Sequence, residues 1–266
     1  MFLYERDYRL QPKKEEIQEY NTIRDSEVLD FPVGRINKYL EYPRAMRHYM
    51  SLFPNNLMEI NDYKENALLD VELFEELLSN NATKERDILT FINKGKHFHI
   101  IASLLSGGGY SFGHHATYLF SEFELGNNYK ADYLLVGKSS GGYEFLFVEL
   151  ESPYGRITTS DGELGESFRK GLSQVKDWNR LLQANYIGVS ETYNKYIKAG
   201  ESLPKEFYRY DSSRIHFAVI AGRRSDFKEN TYRLKREYSQ DEDIKLFHYD
   251  NLIDYAKNNL DRTTYW

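Results

Sequence analysis

The sequence predicts an α/β protein: a central mixed sheet flanked by helices over residues 81–266, preceded by a smaller N-terminal region over 1–80. Three observations lead there. Two short apolar runs, ADYLLVG and YEFLFVELE, are separated by the turn residues KSSGG and read as a hairpin. A long stretch, GELGESFRKGLSQVKDWNRLLQAN, sets Phe168, Leu172, Val175, Leu181 and Leu182 roughly on one side at helical spacing. A further core strand, RIHFAVIAG, follows it, so the order helix, strand, strand, helix, strand emerges from pattern alone.

Taken in chain order, the first eighty residues are mixed. INKYLEYPRAMRHYMSLF and LLDVELFEELL carry apolar residues at helical spacing, while Pro32, Pro43 and Pro54 divide the stretch. Thr83 is the expected N-cap of a helix over KERDILTFINKG, whose stripe is Ile88, Leu89, Phe91 and Ile92 and whose end is Gly95. Ile100, Ile101, Leu104 and Leu105 predict a second short helix closed by the glycines at 107 to 109. HATYLFSEFEL is read as a third helix, running up to Gly126. Beyond the hairpin, the polar loop SPYGRITTSDG, the long helix and RIHFAVIAG, the segment KLFHYD reads as one more strand and NLIDYAKNNL as a closing helix.

Composition limits the chemistry. With 41% apolar residues, 16 Phe and 23 Tyr, the chain has ample material for a packed interior. The absence of cysteine excludes disulfides and thiolate chemistry, so any metal must be held by oxygen or imidazole. It also fits a reducing compartment, and the charged start MFLYERDYRL and the short apolar runs FLFV and FAVIA predict a cytoplasmic protein with no membrane span. A net charge of −6 argues against coating nucleic acid through a global positive field, which leaves local clusters such as Arg223, Arg224 and Lys228.

Three acids stand in an informative arrangement. Asp132 begins one strand of the hairpin, and Glu149 and Glu151 end its partner. Alternation puts Phe145, Phe147, Glu149 and Glu151 on one face, so two carboxylates end an apolar strand side by side. Such acids repel each other and carry desolvation costs unless a cation lies between them, and Mg²⁺ favours carboxylate oxygen and retained water. An E-x-E spacing is equally met by acids that simply leave the core for solvent, so the spacing alone leaves both readings open.

The succession SEFELGNNYKADYLLV, FLFVELESP, KGLSQVKDW and IHFAVIAGR resembles the nuclease domain of Shedu anti-phage defence proteins, a branch of the PD-(D/E)XK superfamily, over roughly Thr83 to Leu260. That resemblance implies a restriction-endonuclease-like core and Mg²⁺- or Mn²⁺-dependent hydrolysis of DNA phosphodiester bonds in bacterial defence, by a homo-oligomer. It makes Asp132 and Glu149 metal ligands, Glu122 the helix-borne acid that completes the site, with Glu124 close by, and Gln174 the glutamine of the following helix. One position departs from the pattern: the lysine expected two residues after the second acid is Glu151. Lys170, four residues before Gln174, is then the best lysine to reach in from the helix, ahead of Arg156 and Lys176, and Glu151 itself could be a base or a ligand. Arg156, Lys176, Arg223 and Arg224 are the residues expected to meet DNA.

Other features give less. His97, His99, His114 and His115 lack any metal-ligand spacing and read as packing or surface residues. SGGGYSFG lacks the lysine of a phosphate loop. The missing motif lysine also sustains an alternative: a catalytically degenerate nuclease-fold module that binds DNA ends or a protein partner without cleaving.

Overall fold

In the computed structural model, residues 51–53, 55–57, 64–126, 129–198 and 200–262 are described, with Lys14, Gln18 and two short strands, β1 (Val28–Phe31) and β2 (Gly34–Asn37). These two strands pair antiparallel as a small hairpin. Most of the segment INKYLEYPRAMRHYMSLF lies outside the described residues, although Ile36 and Asn37 end β2.

Why the rest is layered follows from its strands. β4 (Tyr129–Ser139) and β5 (Gly142–Leu150) are near-continuous apolar runs, buried along most of their length. A run of that kind has no solvent face, so both sides of its sheet must be covered. The five-stranded sheet has the order β3 (Ala116–Leu125), β4, β5, β6 (Ile215–Ile220), β7 (Ile244–Phe247). Its first two pairings are antiparallel and its last two parallel. The parallel half requires crossovers, supplied by α5 (Glu166–Ala184) and α6 (Tyr186–Tyr196) between β5 and β6, and by α7 (Glu229–Asp241) between β6 and β7.

Two buried clusters lie on the two faces. On one, Phe168, Leu172, Val175, Trp178 and Leu182 of α5 pack on Phe145, Phe147 and Val219. On the other, α1 (Lys64–Leu77), α2 (Glu85–Gly95), α3 (Phe98–Ala102), α4 (Leu104–Gly107) and α8 (Tyr249–Asn259) cover Leu146, Val148 and Leu150. Phe53 and Leu52 sit in the first cluster and Val71 and Phe74 in the second, so residues before 81 contribute to both cores. No helix among the described residues is long and apolar enough to cross a membrane.

The expected hairpin, long helix, core strand and closing strand and helix all form, and the fold is the α/β sheet flanked by helices that the pattern indicates. Three local readings are corrected. HATYLFSEFEL is not a helix: from Ala116 it is strand β3, paired with β4 from Ala116 opposite Lys138 to Leu125 opposite Tyr129. Its Thr117, Tyr118, Phe120 and Phe123 are residues that favour a pleated surface, and a short apolar run does not distinguish the two periods. Thr83 does not cap α2; its hydroxyl donates to the Leu77 carbonyl at 2.7 Å, and Lys84 is the N-cap, its N–H donating to Asp87 at 2.9 Å. The single short helix expected around Ile100 to Leu105 is two, meeting at Ser103.

Candidate functional site

Strand polarity decides where the acids go. Glu149 and the following Glu151 continue the face of Phe145 and Phe147, the side covered by α5, and both are buried, at 3% and 2% exposure. Half-buried Asp132 lies beside them, its carboxylate accepting the Leu150 N–H at 2.8 Å. That bond crosses from β4 to the end of β5 and fixes Asp132 against the strand that carries the two glutamates.

Helix α5 closes the site from above. Gly171 permits this, since a Cβ there would fall 2.5 Å from Val219 Cγ1 and 3.1 Å from Glu151 Cγ. With the helix so close, Gln174 Nε2 donates to Glu149 Oε1, and one turn earlier Lys170 Nζ donates to Glu151 Oε2 at 2.9 Å. We expect Gly171→Val to cost about 1–3 kcal/mol through overpacking, read as a lower thermal midpoint; an unchanged midpoint would show that the helix can lift away at no cost.

The electrostatics are those of crowded acids. Burial, joined by the charge of Asp132, pushes the Glu149 carboxyl up to about 9, against the favourable bond from Gln174. Burial also raises Asp132 to about 7, with Glu85 and Glu151 adding to the rise and the Leu150 N–H and Lys170 opposing it. Glu151 is raised by burial too, though Lys170 counters. For Lys170, desolvation is outweighed by Glu151 and Glu85, which hold the ammonium above its ordinary value. Glu151 Oε1 is buried with no hydrogen-bond partner among the described residues.

Glu85 is the acid that sequence reasoning missed. At the first position of α2, it reaches Lys170 at 3.3 Å, and its charge acts on Asp132, Glu149 and Glu151. The available signal was its place, the first residue of the helix that opens the strand, strand, helix, strand series. Glu122, the acid expected on a helix, stands on β3 instead. Its φ of 51° interrupts the ladder between the Ser121–Tyr133 and Phe123–Ala131 pairs, and its exposed side chain pairs with Lys130 at 3.6 Å. Glu124 is exposed as well, 3.5 Å from Lys195.

Of the cations expected to meet DNA, three are engaged by acids. Arg223 grips Asp250 through Nε at 3.0 Å and Nη2 at 2.8 Å, and also donates to Tyr154 and to the Leu78 carbonyl, bracing α8 against the sheet. Arg224 pairs with Asp254, and Lys176 with Glu242 at 2.7 Å. Arg156 is exposed and has no acidic partner among the described residues. His97 and His99 face Asp70, at 3.0 and 3.9 Å, while His114 and His115 are exposed and lie against one another.

Could a divalent cation sit among the acids? Among the described residues no three His, Asp or Glu side chains form a ready-made cage. Yet Mg²⁺ uses few protein ligands and keeps its water, and the donors here suit it: hard oxygens, one of them orphaned, with ionisation of Asp132 and Glu149 opposed until a positive charge arrives. The residues fit such an ion.

A search of curated proteins finds no match. A family model described as Shedu protein SduA, C-terminal, matches residues 82–253, which takes in Glu85, Asp132, Glu149, Glu151, Lys170 and Gln174. Because that match spans well over half of the sequence, the chain belongs to the Shedu protein SduA C-terminal family.

Proposed function

We propose that this protein is a divalent-metal-dependent DNA nuclease of the PD-(D/E)XK type, acting in anti-phage defence. The observation that carries the reading is the convergence of Asp132, Glu149 and Glu151 on one face of the sheet, with Lys170 and Gln174 brought over them by α5. Membership of the Shedu family supports the defence setting.

Asp132 and Glu149 would hold Mg²⁺ or Mn²⁺, with Glu85 near enough to add its charge. Bound there, the ion supplies polarisation of a phosphodiester oxygen and a lower pKa for an attacking water. The chain's own groups do the rest. Gln174 holds the Glu149 carboxylate in one orientation. Lys170 takes the part of the lysine missing two residues after Glu149: its ammonium is at the site and half in solvent, positioned to meet negative charge developing on the phosphate. Glu151, with one oxygen on Lys170 and the other without a partner among the described residues, is placed to accept a proton from water.

One observation favours a second reading, a module of this fold that binds DNA without cutting: both glutamates are already engaged by Lys170 and Gln174. Plasmid cleavage with Mg²⁺ or Mn²⁺ separates the two. We expect the wild type to cut, Asp132→Ala to be inactive, and Glu85→Gln to lose on the order of 10–100-fold in rate, as for a group supporting metal ligands. Metal-independent DNA binding with no cleavage under either ion would establish the module instead.

A further inference from the structure

Away from the carboxylates lies a cleft of about 600 Å³, between the loop that follows β5 and the turn that leads into α7. Arg156, Thr158, Thr159 and Ser160 form one wall, and Lys228 and Asn230 the other. Two of the residues that line it are cations. The chain is acidic overall, and Lys176, Arg223, Arg224 and Arg233 are each engaged by a carboxylate. Arg156 and Lys228 are both exposed and have no acidic partner among the described residues; the Lys228 ammonium reaches only the Ser225 carbonyl, at 3.4 Å. Asp226, the acid on the rim, is turned to the Arg223 N–H at 3.0 Å.

The walls are also preformed. Thr159 N–H donates to the Glu163 carbonyl at 2.8 Å, Gly162 N–H to Thr159 at 3.1 Å and Gly165 N–H to Ile157 at 2.7 Å, so the loop is a closed turn. Gly162 has a φ of 85°, and a Cβ there would fall 2.4 Å from Asn230 Nδ2, which is how the loop comes against α7. No aromatic side chain lines the cleft, so it offers a base nothing to stack on. Two cations among hydroxyls and amides suit phosphate and sugar instead.

Its distance from the acids is limited by the chain. Arg156 is five residues after Glu151, and five extended residues span at most ~18 Å. At ~3.4 Å of helix axis per phosphate on one strand, the cleft is within about five nucleotides of the cluster. We infer that it is a backbone subsite: Arg156 and Lys228, on opposite walls, each hold a phosphate of the DNA strand whose cleaved phosphodiester lies at Asp132, Glu149 and Glu151. This assignment rests on the nuclease reading for its register and on the cleft for its chemistry.

The test is a fluorescence-anisotropy titration of a labelled DNA duplex over a series of salt concentrations, in EDTA so that nothing is cut, with Arg156→Gln, Lys228→Gln and the double variant. Each single change is expected to weaken binding and to reduce the slope of log affinity against log salt by about 1, and the double variant by about 2. Arg180→Gln, removing a cation already paired with Asp177, leaves the slope unchanged. All these side chains are exposed, and matching thermal midpoints show that the variants are folded. An unchanged slope in the double variant, or no measurable binding by the wild type, overturns the assignment. Plasmid cleavage with an unchanged slope would sink the subsite alone, whereas a reduced slope without cleavage under any metal would sink the nuclease reading alone.

Discussion

Glu149→Gln is expected to reduce Mg²⁺-dependent DNA cleavage by at least ~10³-fold while making the metal-free protein more stable. The two effects have one cause. Glu149 is buried beside Asp132, and its carboxyl is pushed up to about 9, so the ionised form that a cation needs is the form the empty fold resists. Glutamine keeps the shape, and its amide oxygen can still accept from Gln174. It removes the charge that would hold the ion. A residue with only a structural role would lose activity and stability together. Single-turnover cleavage read beside thermal unfolding in EDTA separates the cases, and a variant that cuts within ~10-fold of wild type would remove Glu149 from the ligand set.

The second large effect is a dependence of stability on pH that a divalent ion reverses. Asp132 and Glu149 have folded values of about 7 and about 9, against ordinary values of 3.8 and 4.5. Carboxyls raised by folding contribute stability that is complete below their ordinary values and is lost as pH rises through the folded ones. Other groups confine the clean window. His99 and His248, lowered by burial to about 4, act in the opposite direction chiefly below 6.5, and Lys198, lowered by burial to about 8, chiefly above that value. Between pH 6.5 and 8 the two carboxyls therefore set the sign, and the metal-free protein is expected to lose stability there, read as a falling denaturant midpoint in EDTA. Mg²⁺ should flatten the profile by binding the ionised form, and Glu149→Gln should remove more than half of the slope. Stability that rises with pH across this window would mean that the acids are not crowded as described.

Much of the sheet was legible because its strands are extreme. ADYLLVG and FLFVEL are too short and too apolar for surface helices, and the turn between them is explicit. HATYLFSEFEL misled for the same physical reason: its apolar residues face both cores, so no alternation marks it as a strand. The candidate site divides along similar lines. Asp132, Glu149, Glu151, Lys170 and Gln174 are linked within a hairpin and its next helix, where spacing carries over into space, and the structure brings all five together. Glu85 arrives from a separate helix nearly fifty residues upstream of Asp132, a distance across which no local periodicity speaks. The ion pairs of the arginines were illegible for a related reason. Asp250 and Asp254, which engage Arg223 and Arg224, come from α8, and nothing in RIHFAVIAGRR announces them.

Lys170 links elements from both sides of the sheet. It extends from α5, on one side of the sheet, to Glu151 at 2.9 Å and to Glu85 at 3.3 Å, on the helix that packs against the other side. Its ammonium is thus a clasp across the open end of the sandwich, shared by two anions. With three donors and half its surface in solvent, the ammonium can take a third acceptor while keeping both grips, so an anion bound at this end would be felt by helices on either side through a common tether.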